Sequence, residues 1–442
     1  MNYRLFEDTR YDPGLPERPA VTVGSVGSSN PIELANLGIS WRDEGVFDRA
    51  EQIFRDLIER FPNLVYGWQE LGVLCRKMGR EEDALALFRQ ACMVDPGDFL
   101  SRRYYATQLL RLGHGDDAKS AIVDPPWSDP DTQSAAMIFA QLIDFIIDHP
   151  QASMNGLVQL FEQDERFLNV HSVAAHIQTA LDEGRPFSLI RLGDGEGAWL
   201  SINDQDEARF AGLYEANRRE ILRVWFGADD LYSHPAFIEL ARGFAQVLDH
   251  TSIIGLPYGN RMDNEYGVFS IRGIPSIANI LRALKHEPVP GLNLHYCKND
   301  VHLELHLEGY LQTLLNGSYK VGIISCHADL GWRLVEHYGA RVVSQIIVPE
   351  EKSFQQVRGI SGMSLPHYPI PFYRTMERLK RSAGEAQLWL VAAGFLGKFY
   401  CDAIRGAGSV ALDIGSVADG WCGRVTRPTL SQIGRYALGR PA

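Results

Sequence analysis

The sequence has few cysteines, no C-x-x-C pair, no long apolar run and no surplus of positive charge. Each lack excludes something. The six cysteines, Cys75, Cys92, Cys297, Cys326, Cys401 and Cys422, are scattered along 442 residues. That argues against a disulfide framework and against a zinc site, and it fits a reducing cytoplasm. No stretch reaches the roughly 20 apolar residues that span a bilayer. No basic start leads into an apolar segment, so neither a membrane span nor a signal peptide is expected. The formal net charge is -12, from 43 basic and 55 acidic residues. A general nucleic-acid binder needs clustered Lys and Arg to neutralise phosphates, so none is expected here. A single nucleotide needs only a few local groups and stays open.

What is present begins with a repeat. Residues 1–30 are a polar leader containing Pro13, Pro16 and Pro19, read as a flexible arm. From Pro31 a pattern recurs: Leu37, Gly38, Ala50, Phe54 and Pro62 return as Leu71, Gly72, Ala84, Phe88 and Pro96. The offset is 34 residues each time. A degenerate third copy keeps the frame with Tyr105, Ala106, Ala118, Ile122 and Pro130. Period and residue types resemble tetratricopeptide (TPR) repeats over residues 31–130. Small residues let paired helices approach, Phe54 fills the seam, and Pro62 ends the second helix. The array either offers a concave surface to a partner or packs on a second domain. Residues 131–184 read as further helices, those up to 165 connecting the array to the second domain.

From Pro186 the pattern turns to strand, helix, strand. The expected strands are Phe187–Leu192, Ser252–Pro257, Leu292–Cys297, Lys320–Cys326, Val342–Pro349, Leu388–Ala393 and Ser409–Ile414. Most are short apolar runs without polar alternation, as in a parallel sheet covered on both faces. The expected fold is an α-helical TPR array plus an α/β Rossmann-like domain with a mostly parallel sheet.

The richest stretch is Phe187–Trp199, FSLIRLGDGEGAW. Gly193, Gly195 and Gly197 end the strand, and Asp194 and Glu196 stand between them. Side chains two apart in extended chain point the same way, so both carboxylates are candidate ligands of one hard cation. Ordinary loop chemistry also explains such residues. Other strand ends carry polar or glycine residues: Tyr258 to Arg261; His327 and Asp329; Glu350 to Ser353. The turn Gly394 to Gly397, followed by Lys398, either aims helix amides at a diphosphate or is a plain tight turn. Asp413, ahead of Gly415, serves a ribose, a metal or a buried hydrogen bond. His302-Leu-Glu304-Leu-His306 lacks the order of a zinc protease helix, and the leucines at 303, 307, 311 and 314 read as one helix with a buried face. PHYPIPFY, residues 366–373, reads as an irregular loop. The tail from Thr426 reads as a surface helix or frayed end.

FSLIRLGDGEGAWL (Phe187–Leu200) resembles the opening strand and D-x-E motif of the GT-D-type glycosyltransferases. LWLVAAGFLGKFYCDAIRGAGSVALDIGSVADGW (Leu388–Trp421) is similar to that family's closing segment, and Tyr319–Phe354 to its middle. The resemblance covers residues 166–425, leaving 426–442 as a tail. It implies sugar transfer from a nucleotide sugar, usually a UDP-sugar, to an acceptor hydroxyl, with a divalent cation, Mn2+ or Mg2+. By resemblance, Asp194 and Glu196 hold the metal and act in catalysis. Arg191, Gly193, Gly195, Gly394, Gly397, Asp413 and Gly415 face the donor, and His327 is a further catalytic candidate by position. Phe395 and Leu396 depart from the family, which often has proline and a small polar residue there. The TPR repeats then recruit a protein acceptor or partner. The rivals are a Rossmann-like methyltransferase, disfavoured by two carboxylates in its nucleoside loop, and a scaffold with an inactive α/β domain.

Overall fold

The computed structural model describes residues 30–125, 127–193, 195–200, 204–227, 230–285, 294–352, 361–363, 365–426, 430 and 433–438. The chain divides into two compact units between Asp148 and His149.

The first unit is an array of helix pairs. Pro31–Asp43 pairs with Phe47–Arg60, Val65–Lys77 with Glu81–Val94, and Phe99–Arg111 with Gly115–Val123; Pro130–Asp148 comes next. Asn30 caps the first helix by accepting from the Ile32 amide at 3.0 Å. Asp98 caps the fifth by accepting from the Ser101 amide at 2.8 Å. Each cap satisfies an amide that the helix itself leaves open. The repeat's small residue has a measurable reason: a Cβ on Gly38 would lie 2.5 Å from the Phe54 ring, and one on Gly72 2.5 Å from the Phe88 ring. The same contact recurs one repeat later, so the 34-residue period is a packing period. Gly45, Gly79 and Gly113 recur at the same offset between the paired helices, each with left-handed φ near +80°, a conformation glycine adopts freely.

The second unit carries a seven-stranded, all-parallel sheet. Its strands are β1 (Phe187–Arg191), β2 (Ile253–Leu256), β3 (His295–Lys298), β4 (Lys320–Ser325), β5 (Arg341–Ile347), β6 (Leu388–Ala392) and β7 (Val410–Asp413). All seven expected strands are present. The order is β3-β2-β1-β7-β6-β4-β5. Chain winding runs outward from β1 to β3, then crosses to the other half. The first and last strands are therefore neighbours where the halves meet. Leu189 pairs with Leu412, Val391 with Asp413, and Ser325 with Ala392, so the carboxyl ends of β1, β7, β6 and β4 form one rim. β2 and β7 are buried along their whole length, as both-face coverage requires. Each fully buried Leu or Ile contributes roughly 1.5–3 kcal/mol.

Three local expectations are corrected. The helix read through Leu303 to Leu314 breaks at Gly309, which is left-handed, into Val301–Leu307 and Tyr310–Leu314; Leu307 is exposed. PHYPIPFY is not all loop, because helix Ile370–Ser382 starts inside it once Pro369 has set the entry. The tail is not a frayed end where it is described: Leu430 and Tyr436 are buried in the core beside Trp421. No helix among the described residues is long and apolar enough to cross a membrane. The arm expected over residues 1–30 lies, apart from Asn30, outside the described residues.

Candidate active site

The rim brings four charged side chains together. Arg191 ends β1, Asp413 ends β7, and Lys398 lies in the first turn of helix Leu396–Gly406, which comes after β6. Arg191 Nη2 is 3.1 Å from Asp413 Oδ1, and its Nε donates to the Asp413 carbonyl at 3.1 Å. Lys398 Nζ is 2.5 Å from Asp413 Oδ2 and 3.4 Å from Glu196 Oε1. Lys398, Asp413 and Glu196 are all buried, and burying such charges is costly unless they are paired. Burial pushes the Asp413 carboxyl up, but Arg191 and Lys398 outweigh it and hold it below the usual carboxylate range. Burial likewise opposes the Lys398 charge, yet Asp413 and Glu196 raise its pKa. Arg191 Nη1 also donates to the Asn299 carbonyl at 3.2 Å and lies 3.1 Å from the His302 ring nitrogens. Burial first, and Arg191 second, push His302 well below the usual histidine range, so its ring is neutral.

Glu196 does not have the extended geometry expected of it. Glu196 opens a 3-10 turn, Glu196–Trp199, and its Oε2 accepts from the Gly193 amide at 2.9 Å. The turn is forced close to its surroundings, since a Cβ on Gly197 would lie 1.9 Å from the Ser276 carbonyl oxygen. With one oxygen on Gly193 and the other facing the Lys398 ammonium, Glu196 does not fit a metal ligand. A divalent cation at Oε1 would be forced against a like charge. Glu196 shapes the loop instead. Asp194, the other half of the expected pair, lies outside the described residues.

Gly415 sits at φ +44°, and a Cβ there would lie 1.9 Å from Arg191 Nη2. Its bareness is what lets the guanidinium reach Asp413. Gly394 has φ +56° and is exposed, whereas Gly397 is buried. The Gly397 amide donates to the carbonyls of Ala393 at 3.2 Å and Gly394 at 3.1 Å, and so is not presented to a diphosphate. Phe395 is buried against Trp225, stacked at 5.0 Å between centroids. The same Trp225 ring stands 2.1 Å from where a Cβ on Gly195 would be. His327 is 1% exposed and 2.8 Å from Asp419 Oδ1; its bonds run to Asp419, not to Glu196 or Asp413. The structure thus joins Arg191, Gly193, Glu196, Asp413 and Gly415, puts Gly195 beside Trp225, and leaves His327 in a separate buried pair.

In the sequence Lys398 has no assigned role, His302 stands out only as part of a helix, and Asn299 does not stand out at all. Lys398 carries a signal, as a lone cation in the first turn after a strand-end glycine. Asn299 and His302 carry no signal that points to Arg191, because they reach it only through the pairing of β3 with β2 and β2 with β1.

Residues 168–421 match the family model described as a GT-D fold-like domain. No curated protein matches the chain. A solved structure of an O-GlcNAc transferase mutant from Thermobaculum terrenum is similar over 88% of this chain and 76% of that one, at 12% identity and a TM-score of 0.26. At that score the likeness carries no argument.

Proposed function

The chain belongs to the GT-D-like family, and from that premise we propose that its α/β unit transfers a sugar from a nucleotide-sugar donor, a UDP-sugar, to an acceptor hydroxyl. The observation that carries this reading is the meeting of Arg191, Asp413, Lys398 and Glu196 at the carboxyl ends of β1, β7 and β6. In open α/β sheets ligands bind outside those ends, where the winding changes direction. The cluster is preorganised: two cations and two carboxylates hold each other in place before any ligand arrives. Their formal charges cancel. The network therefore fixes the rim and the Gly193 loop rather than presenting bare positive charge to a diphosphate. Departure of the sugar builds negative charge on the β-phosphate, and fixed dipoles and charges aimed there lower the barrier. The expected divalent cation, Mn2+ or Mg2+, retains Asp194 alone as its candidate ligand from the motif, and no step is drawn through it. Trp225, half-buried beside Gly195, forms an apolar wall next to this loop.

The helix-pair array, residues 31–130, recruits a protein acceptor or partner in this reading. Once an acceptor is turned over, its cross-links should map to that array; cross-links confined to residues 166–425 would reject the assignment. The main test is thermal unfolding of the full chain with a panel of nucleotide sugars, with and without manganese, on wild type and Asp194→Asn. A donor at a hundredfold excess over its dissociation constant should stabilise by about 2.7 kcal/mol. A shift with a UDP-sugar, weakened in Asp194→Asn, supports transfer. A folded protein that responds to no nucleotide sugar rejects it and favours a scaffold.

A further inference from the structure

A second cluster of ionisable side chains lies on the same rim, beyond β7 and β6 from Arg191. Cys326 and His327 come directly after β4, and Asp419 belongs to helix Ser416–Trp421 after β7. Candidate ligand atoms of these three residues all lie within 4.8 Å of one another. All three are buried, Cys326 and Asp419 at 5% exposure each. A second trio, His327, Asp329 and Cys422, satisfies the same limit and shares the imidazole. Two thiols, two carboxylates and one histidine therefore converge from segments that are distant in sequence.

The simplest account is a structural His–Asp pair. His327 Nε2 is 2.8 Å from Asp419 Oδ1, and Asp419 Oδ2 accepts from the Thr426 hydroxyl at 2.6 Å. That account covers two of the five converging groups. It does not say why a buried thiol lies against the pair. Nor does it say why a second thiol and carboxylate, 3.8 Å apart as Cys422 Sγ and Asp329 Oδ1, approach the same ring. The remaining partners are those of ligands held in orientation. Thr426 fixes the outer oxygen of Asp419, and Arg333 holds Asp329 Oδ2 at 2.7 Å. Metal-ligating groups are commonly steadied in this way by further hydrogen bonds.

We propose that Cys326, His327 and Asp419 bind a zinc ion. One thiolate, one imidazole and one carboxylate are zinc's own ligand types. The thiolate selects against magnesium and calcium, which take oxygen. Binding releases the Cys326 thiol proton to solvent, so affinity rises with pH. The ion ties the end of β4 to the helix that begins at Ser416, next to Gly415 and Arg191. Its role is to hold that corner of the rim. The scattered cysteines conceal it: no short-spaced pair exists because the fold, not the sequence, assembles the ligands.

The test uses the full chain purified from cells grown with added zinc and dialysed against metal-free buffer. Elemental analysis should find about one zinc per chain. Cys326→Ser and Asp419→Asn should each lose most of it, while Cys401→Ser, a buried thiol outside the cluster, should keep it. A zinc chelator should lower the unfolding temperature of wild type, and zinc but not magnesium should restore it. Cobalt added to stripped wild type should give a thiolate charge-transfer band that Cys326→Ser lacks. This readout separates ligation from misfolding, because Cys401→Ser must retain the band. Zinc-free wild type whose unfolding temperature ignores added zinc would overturn the proposal, as would full zinc content in folded Cys326→Ser. None of these readouts involves sugar transfer, so this inference and the proposed activity fail independently.

Discussion

At the scale of the residue, Asp413 is the carboxylate on which both Arg191 and Lys398 depend. Arg191 and Lys398 each reach one of its oxygens, at 3.1 and 2.5 Å. Neutralising it leaves the buried Lys398 ammonium and the partly buried Arg191 guanidinium with, among the described residues, Glu196 as the remaining carboxylate of the cluster, 3.4 Å from Lys398. Removing one partner from a buried ionic group typically costs about 3–5 kcal/mol. Asp413→Asn should therefore destabilise the α/β unit by about that much in urea unfolding. A loss below about 1 kcal/mol, the ordinary worth of an exposed pair, would show that the network is slack and that solvent reaches it. The contrast is Asp56→Asn, whose partner Arg60 lies on an exposed helix face with side-chain exposures of 34% and 40%. Solvent screens that pair, and the expected change is within about 0.5 kcal/mol. Glu196→Gln tests the role reassigned to that carboxylate. If Glu196 shapes the loop, the amide oxygen can still accept from Gly193, so donor binding and any metal response should survive at reduced strength. Complete loss of the metal response with an intact fold would restore Glu196 as a ligand.

At the scale of the element, the repeat contacts give a matched pair of glycine substitutions. Gly38→Ala and Gly72→Ala each drive a methyl into a phenylalanine ring at 2.5 Å. Overpacking of this kind costs about 1–3 kcal/mol. Gly156→Ala sits mid-helix in Gln151–Glu162 with nothing within 4 Å of the added carbon, and should stabilise by up to about 1 kcal/mol. Thermal unfolding of the three variants checks the contrast; equal effects would mean that helix propensity, not the aromatic seam, governs the array. The same contacts explain what is legible in the sequence. The period is visible because each repeat solves one packing problem with one small and one aromatic residue. The five inner strands are visible because central parallel strands must be apolar on both faces, whereas β3 and β5 lie at the sheet edges and β5 is only partly buried. The interior of the site is much less so. Spacing alone puts Glu196 in extended chain, whereas its turn depends on Ser276, 80 positions further along. Lys398 acquires a role only when β6 lies beside β7. His302 meets Arg191, and His306 meets the tail, through tertiary contacts that no local pattern encodes. Gly309 breaks a leucine spacing that by itself reads as one helix.

At the scale of the whole molecule, buried neutral histidines set the response to acid. Burial holds His302 and His306 below the ordinary histidine range, and burial alone brings His367 down to about 3. His306 Nε2 lies 3.0 Å from the Arg435 carbonyl, to which the neutral ring donates, and His367 lies 2.8 Å from the Tyr400 hydroxyl. In the unfolded chain each would titrate near roughly 6.5. Below that pH the unfolded state binds protons that the folded state refuses, so stability falls as pH drops. Each such histidine contributes a slope of up to about 1.4 kcal/mol per pH unit. Asp413 acts in the same direction, but its depressed carboxyl matters only below the unfolded aspartate pKa of about 3.9. Lys398, raised by its carboxylates, costs stability only as pH climbs past about 10.4. The histidines therefore dominate between about pH 7 and 5. The urea midpoint should decline steadily from about pH 7.5 to 5.5, and His367→Gln should remove one proton's worth of that slope while keeping a polar group toward Tyr400. A midpoint that stays flat or rises on acidification would mean that the three rings take up protons inside the fold. That outcome would also undo the neutral His302 on which the reading of Arg191 rests, because a protonated ring 3.1 Å from the guanidinium would break the rim network rather than complete it.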